Sequence, residues 1–179
     1  MKLRSLLMFL VFALLVTVAP RASADKMIHT GDAVRTKTIA LFTVKVYAIR
    51  HDMKERPAVK SKQAVIDADV DKKFTWQMLR DVPSHKIKAA LVEAFHMNGF
   101  NDAGRIGQFV GAFKGDDNEI KENSNVVITY NATAKTVAIW VQNGGSATIA
   151  GADFMKAVWS IWFGKIDQPS MGDQLISKL

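Results

Sequence analysis

The sequence predicts an α+β fold, a largely antiparallel sheet with helices packed on one face. Three observations carry this reading. Runs of period-two alternation and runs of helical periodicity fall in blocks along the chain rather than in strict alternation. Asn143-Gly144-Gly145 separates two short β-rich runs, and those residues tolerate the positive φ that a tight hairpin needs. Each helical run carries one apolar stripe, as a helix lying on a sheet does.

In chain order, Thr38 to Ile49 reads as one strand. Ile39, Leu41, Thr43, Lys45 and Tyr47 share one face, and Phe42, Val44, Val46 and Ala48 the other. Charge is densest from Arg50 to Lys62, which predicts an exposed loop or short helix. Phe74–Leu79 alternates as a second strand. Pro83-Ser84 opens a helix with Ser84 as N-cap and Ile87, Ala90, Leu91, Ala94 and Phe95 as its apolar stripe; Asn98-Gly99 ends it. A second helix spans Ala103 to Phe113. Strands follow at Val126–Tyr130, Thr136–Val141 and Ala147–Ile149. Gly151 then precedes a helix to Trp162, Gly164 stops it, and a short helix from Met171 to Leu179 closes the chain.

The chain has 179 residues, 49% of them hydrophobic and 23% charged. That is globular composition, and it excludes disordered and collagenous readings. Lys2 and Arg4 precede an apolar run, Leu6–Val18, and Pro20-Arg21-Ala22-Ser23-Ala24 ends in A-x-A. The run is short of the ~20 residues a spanning helix needs. Together these parts predict a signal peptide at 1–24, cleaved after Ala24, and one domain at 25–179. The expected location is therefore periplasmic or secreted, with no membrane span after cleavage. Residues 1–24 hold three basic residues and no acid, so 24 basic and 17 acidic residues become 21 and 17. That balance is an ordinary solvated surface and gives nucleic acid no reason to bind. Cysteine is absent, so no disulfide staples the fold and its core must hold it.

Few side chains carry chemistry by their spacing. His29, His51, His85 and His96 show no metal spacing and read as solvated or half-buried. Asp67, Asp69 and Asp71 alternate without the glycine turn or closing glutamate of a calcium loop, and read as a solvent-facing or capping cluster. Asn131-Ala132-Thr133 fits a glycosylation acceptor. Trp140, Trp159 and Trp162 read as core. No phosphate loop, dinucleotide fingerprint or nucleophile elbow is present, so no cofactor, metal or catalytic residue is assigned. Arg35 and Tyr47, taken alone, fit a surface ion pair and a core phenol as well as a site.

Gly31-x-x-x-Arg35-x-Lys37, then Phe42-x-Val44-Lys45-Val46-Tyr47-Ala48, resembles the opening of the chalcone isomerase-like superfamily. The resemblance continues through Leu79-Arg80-Asp81-Val82 and Phe109-x-x-x-Phe113-Lys114-Gly115-Asp116. It ends with Gly151-x-Asp153-Phe154-x-x-Ala157-Val158-x-x-Ile161-Trp162-Phe163-Gly164. It implies an open-faced β-sandwich, a long antiparallel sheet with a helical layer and a ligand cleft between them. Against the plant chalcone isomerases, Arg35 matches the cleft arginine, while Tyr47 stands where a Thr is expected. Phe100 stands at the Tyr position, Arg105 near the Asn and Ile161 at the late hydroxyl. Only the cation survives among groups that would stabilise developing charge, which argues against chalcone cyclisation.

The fatty-acid-binding members are more similar, because they carry both an Arg and a Tyr at the positions of Arg35 and Tyr47. The resemblance thus implies a non-catalytic module that holds a fatty-acid-like carboxylate on Arg35 and Tyr47, with Phe100, Arg105 and Ile161 as possible cleft lining. The alternative is an isomerase, an intramolecular lyase using Arg35 as electrophile and Tyr47 as proton donor. Strand geometry opposes both. A continuous strand would hold Arg35 and Tyr47 ~40 Å apart at ~3.3 Å per residue. Thr36–Lys45 contains no Gly, Pro, Asn or Asp to turn it back.

Overall fold

The segment that reads as a single strand is in fact two. The computed structural model, which describes residues 26–115 and 118–179, has β1 at Ile28–Ile39 and β2 at Phe42–Met53, joined by a two-residue reversal at Ala40-Leu41. Ala40 takes φ 53°, the left-handed region that tight hairpins require and that a β-carbon disfavours by roughly 1–2 kcal/mol. The antiparallel ladder running from Ile39↔Phe42 back to Ile28↔Met53 offsets that strain. Nothing in the local sequence advertises the turn; pairing along the whole ladder imposes it. The cleavage site expected after Ala24 lies outside the described residues.

The remaining elements are α1 (Lys62–Asp67), β3 (Lys72–Met78), β4 (Val82–Pro83), α2 (Ser84–Met97), α3 (Ala103–Val110), β5 (Glu119–Ile120), β6 (Asn125–Asn131), β7 (Thr136–Val141), β8 (Ser146–Ala150), α4 (Ala152–Phe163) and α5 (Ser170–Leu175). Six strands form one antiparallel sheet in the order β1-β2-β3-β6-β7-β8, and β4 pairs with β5 in a small separate ribbon. Each strand of the main sheet therefore pairs with the next of that sheet's strands along the chain, and only the β3–β6 connection carries other strands, which form the ribbon. Alternate residues of the central strands, such as Phe74, Trp76, Ile128, Val137 and Ile139, face inward and are buried. Against them lies α4, whose Phe154, Val158, Trp159, Trp162 and Phe163 are almost fully buried. Gly151 leads into α4 at φ +122°, a conformation only glycine adopts freely. This is the predicted α+β architecture, with α4 as the helix the sheet wraps.

Several details differ from the sequence reading. β2 runs on to Met53, so the alternation drives His51 into the core and Asp52 is also buried, where an exposed charged segment is expected. A short helix, α1, begins only at Lys62, at the end of the segment read as an exposed loop or short helix; Ser61 caps it by accepting from the Ala64 N–H at 3.1 Å. Pro83, not Ser84, occupies the N-cap of α2, and the buried Ser84 hydroxyl turns to the Lys114 carbonyl at 3.4 Å. Trp140 is 48% exposed because Val137, Ile139 and Val141 take the inward positions of β7. Of the aspartates, Asp67 pairs with Lys156, Asp69 with Lys135 and Tyr130, and Asp71 accepts the Ala132 N–H at 2.7 Å, so this cluster ties loops together.

His51 sits at the junction of β1, β2, α4 and α5. Trp159 Nε1 donates to His51 Nε2 at 2.9 Å, so that nitrogen must lack a proton. Thr30 Oγ1 donates to the Leu175 carbonyl at 2.7 Å and lies 2.6 Å from His51 Nδ1, which leaves Nδ1 as the protonated nitrogen. Burial, and then the neighbouring Lys72 ammonium, pushes His51 down to about 3. Lys72 is itself buried, donates to the Val65 and Ile66 carbonyls at 2.6 and 3.2 Å, and is pulled by burial to about 7.

The folded chain thus refuses a proton on His51 that the unfolded chain accepts below about 6.5. Stability should fall as pH drops through the window from about 6.5 to about 3, with a contribution from His51 approaching 1.4 kcal/mol per pH unit. His51→Gln, which keeps an acceptor for Trp159 and a donor for Thr30, should flatten the urea-unfolding free energy across that window. Parallel pH profiles for the two proteins would contradict the assignment.

Candidate functional site

The hairpin that brings β1 beside β2 also sets which side chains meet. From the turn inward the pairs run Ile39↔Phe42, Lys37↔Val44 and Thr36↔Lys45, and then Arg35↔Tyr47. Val46 is the extra residue, a β-bulge on β2. Without the bulge, Val46 would oppose Arg35 and Tyr47 would lie one residue out of register. With it, guanidinium and phenol become cross-strand neighbours on one face of the sheet. A second irregularity at Thr30 restores the original count, and Thr30 is the residue whose hydroxyl meets His51.

Arg35 and Tyr47 line a cleft of about 530 Å³ between the free end of this hairpin and helices α2 and α4. Its walls are mainly apolar, with Val46, Ile87, Leu91, Ile161, Trp162 and Ile166 among them. Volume and lining are those of a small-molecule site. A second hollow of about 660 Å³ lies over the other face of β1, β2 and β3; Asp32, Thr36, Arg50, Thr75, Gln77 and Asn125 line it beside Val34, Ala48 and Ile49, and it is open to solvent. Of the two, the cleft between sheet and helices is the more enclosed and the better able to bury an apolar ligand.

Tyr47 lies flat on Trp76, with centroids 4.7 Å apart and planes 8° from parallel. Its hydroxyl accepts the Trp162 Nε1 proton at 3.1 Å and keeps its own proton to donate. Burial pushes the phenol above its ordinary value, more strongly than the Trp162 bond and the Arg35 charge lower it. It is a neutral donor at any physiological pH. Trp76 Nε1 is buried and has no hydrogen-bond partner among the described residues.

Arg35 already holds a carboxylate. Its Nη1 and Nη2 donate to Asp167 Oδ1 and Oδ2 at 2.5 and 3.0 Å, a two-pronged contact. Burial would lower the Arg35 pKa; the Asp167 carboxylate and the neighbouring Tyr47 more than reverse this, and the net shift is upward. Asp167 in turn is held below the usual carboxylate range, chiefly by Arg35. The segment between α4 and α5 reaches Arg35 because Gln168 acts as a false strand on the open edge of β1. Its Nε2 donates to the Val34 carbonyl at 2.9 Å, and its Oε1 accepts the Thr36 N–H at 3.0 Å. The Arg35 side chain is 17% exposed and that of Asp167 52%, so the pair stands at the cleft rim with the carboxylate outward.

The other expected lining residues divide. Ile161 lines the cleft from α4. Phe100 and Arg105 do not. Phe100 packs on Phe95 and Phe154 beyond the end of α2, and Arg105 stacks on its ring at 5.0 Å while pairing with Asp102 and Asp153. Asn98-Gly99 turns the chain away after α2, which carries both residues past the cleft. Sequence reasoning missed Asp167 and Gln168, which carry no motif and lie 132 positions from the residues they bind. It also gave no reason for Gly31. A β-carbon there would stand 2.1 Å from the Gln174 carbonyl oxygen, so the glycine lets α5 close onto β1. Among the described residues, no group of three or more His, Cys, Asp or Glu could hold a metal, and no helix is long and apolar enough to cross a membrane.

A six-stranded antiparallel sheet with helices packed on one face matches an established class. The family model described as chalcone isomerase-like covers residues 18–173, and the chain belongs to that family. Among solved structures it is similar to a fatty-acid binding protein of Arabidopsis thaliana, with a TM-score of 0.67 and 14% identity over 88% of this chain and 90% of that one. At that identity the likeness establishes the shared fold. Among curated proteins none matches.

Proposed function

We propose that this chain is an exported, non-catalytic binding module for a fatty-acid-like carboxylate, held in the cleft between sheet and helices. One observation carries the reading. At the cleft rim, a guanidinium in two-pronged contact with a carboxylate stands opposite a phenol whose proton is free to donate. A ligand carboxylate that replaced Asp167 would find the same paired donors, with Tyr47 as a third. The Arabidopsis neighbour is a fatty-acid binding protein, which supports the same ligand class. Export rests on the N-terminal signal pattern, which predicts that the mature chain starts at Asp25. Intact mass of protein recovered outside the cytoplasm should show the loss of residues 1–24; a full-length mass there would contradict it.

The tail supplies most of the binding. Ten buried methylenes contribute roughly 8 kcal/mol at about 0.8 each, before the entropic cost of association. The head group contributes a difference, because Arg35 must release one carboxylate to take another. A charge-assisted contact is worth roughly 1.5–3 kcal/mol gross, and displacing a half-exposed partner costs about 1. Arg35→Ala should therefore weaken dodecanoate binding by about tenfold, and Tyr47→Phe by less, since a neutral donor contributes about 1 kcal/mol. Methyl dodecanoate should bind the wild type less well than the acid, and the two should converge in Arg35→Ala. Calorimetry on delipidated protein reads all four values. Equal affinity of acid and ester for the wild type would reduce Arg35 to a structural residue.

A further inference from the structure

Beyond Tyr47 the hairpin leaves the sheet. β3 pairs with β2 from Tyr47↔Met78 to Met53↔Lys72, and the Leu79 N–H and Gln168 still hold Val46 and Thr36, so residues 37 to 45 continue as a two-stranded arm. The arm reaches roughly 17 Å past the last sheet pair, at ~3.4 Å per residue. Its end is apolar. Leu41 is 93% exposed, Phe42 75% and Ile39 57%, and these three sit together at the turn. A globular protein gives up such contacts to water only where something else covers them.

Charge names the cover. From Ala33 to His51 the chain has no acidic residue. Lys37 stands on the cleft face of the arm, 62% exposed and 3.8 Å from Asp167, while Lys45 is exposed one pair further in, on the opposite face. Aliphatic and aromatic side chains at the tip with lysines set back on both faces match a bilayer interface, where the apolar residues enter the acyl boundary and the ammonium groups meet anionic head groups. A protein partner fits less well, because three side chains cannot supply the ~800 Å² per side that a stable interface buries.

We infer that the Ile39–Phe42 tip is a membrane-docking element that seats on an anionic lipid surface and brings the cleft mouth to it. Ile39, Lys37 and Val44 line the cleft as well as the arm, so whatever covers the tip also faces the cleft entrance. The inference stands whatever the cleft holds, and its test contains no fatty acid, so the two proposals fail separately.

Because the chain has no cysteine, Leu41→Cys places a single environment-sensitive dye at the tip of the full chain. Thr133→Cys does the same in the exposed turn between β6 and β7, at the opposite end of the sheet. With mixed phosphatidylcholine–phosphatidylglycerol vesicles, the dye at position 41 should shift to the blue and the dye at 133 should not. Neutral phosphatidylcholine vesicles should need far more lipid for the same shift. Lys37→Gln with Lys45→Gln should weaken the anionic-vesicle response by about 25-fold, about fivefold per lysine at the surface. Absence of the shift at 41, an equal shift at 133, or indifference to the two lysines would overturn the inference. A lipid-free shift at 41 on raising protein concentration would also overturn it, since a second copy would then cover the tip.

Discussion

The register of the first hairpin is the constraint on which the rest depends. A reversal at Ala40 turns β1 back along β2, and the bulge at Val46 advances the pairing by one residue before Arg35 is reached. Remove either and the guanidinium and phenol part company, because a one-residue slip sends a side chain to the opposite face. Both features cost local energy, one in left-handed backbone at a residue with a β-carbon and the other in a broken ladder. They persist because the ladder on either side, and the core behind it, over-determine them. Tyr47 is braced by Trp76 beneath and Trp162 beside, and His51 four pairs further in is locked by Thr30 and Trp159.

The same hairpin explains why the head-group position is charged yet satisfied. Arg35 would be an unpaired cation facing an apolar cleft if the segment after α4 did not return to it. Gln168 docks that segment on the edge of β1, and the neighbouring Asp167 reaches the guanidinium. The cleft thus carries a carboxylate of the chain's own at its rim. On the proposed function, a ligand carboxylate would exchange with Asp167 rather than bind to a bare charge, which would make the head-group contribution modest and leave the affinity to the tail.

Much of this was legible in the sequence. The strands from Phe74 onward, the hairpin at Asn143-Gly144-Gly145 and the helix before Trp162 follow from periodicity and turn residues, because local preference and tertiary fold agree there. The turn at Ala40 did not follow, since neither residue has turn chemistry and only long-range pairing selects it. Burial of His51 was hidden by the charges around it. Arg35 and Tyr47 were singled out by resemblance rather than by any local signal, and their juxtaposition depends on a bulge that alternating Val-Lys-Val-Tyr does not mark. Phe100 and Arg105, assigned to the lining by resemblance alone, fall outside it because the turn at Asn98-Gly99 carries the chain past the cleft. Asp167 was invisible for the plainest reason: ion pairs across 132 residues leave no trace in one sequence.

The central claim is that Arg35 exchanges the Asp167 carboxylate for that of a ligand. The affinity of dodecanoate for Asp167→Asn, measured beside the same substitution in an Arg35→Ala background, tests it most directly. Removing a competing, half-exposed carboxylate releases about 1 kcal/mol, so Asp167→Asn alone should bind the acid about fivefold more tightly than the wild type. In the Arg35→Ala background that gain should vanish, because the site of exchange is gone. A gain that survives without Arg35 would mean that Asp167 merely repels anions from the rim, and no gain at all would mean that the ligand carboxylate never meets Arg35.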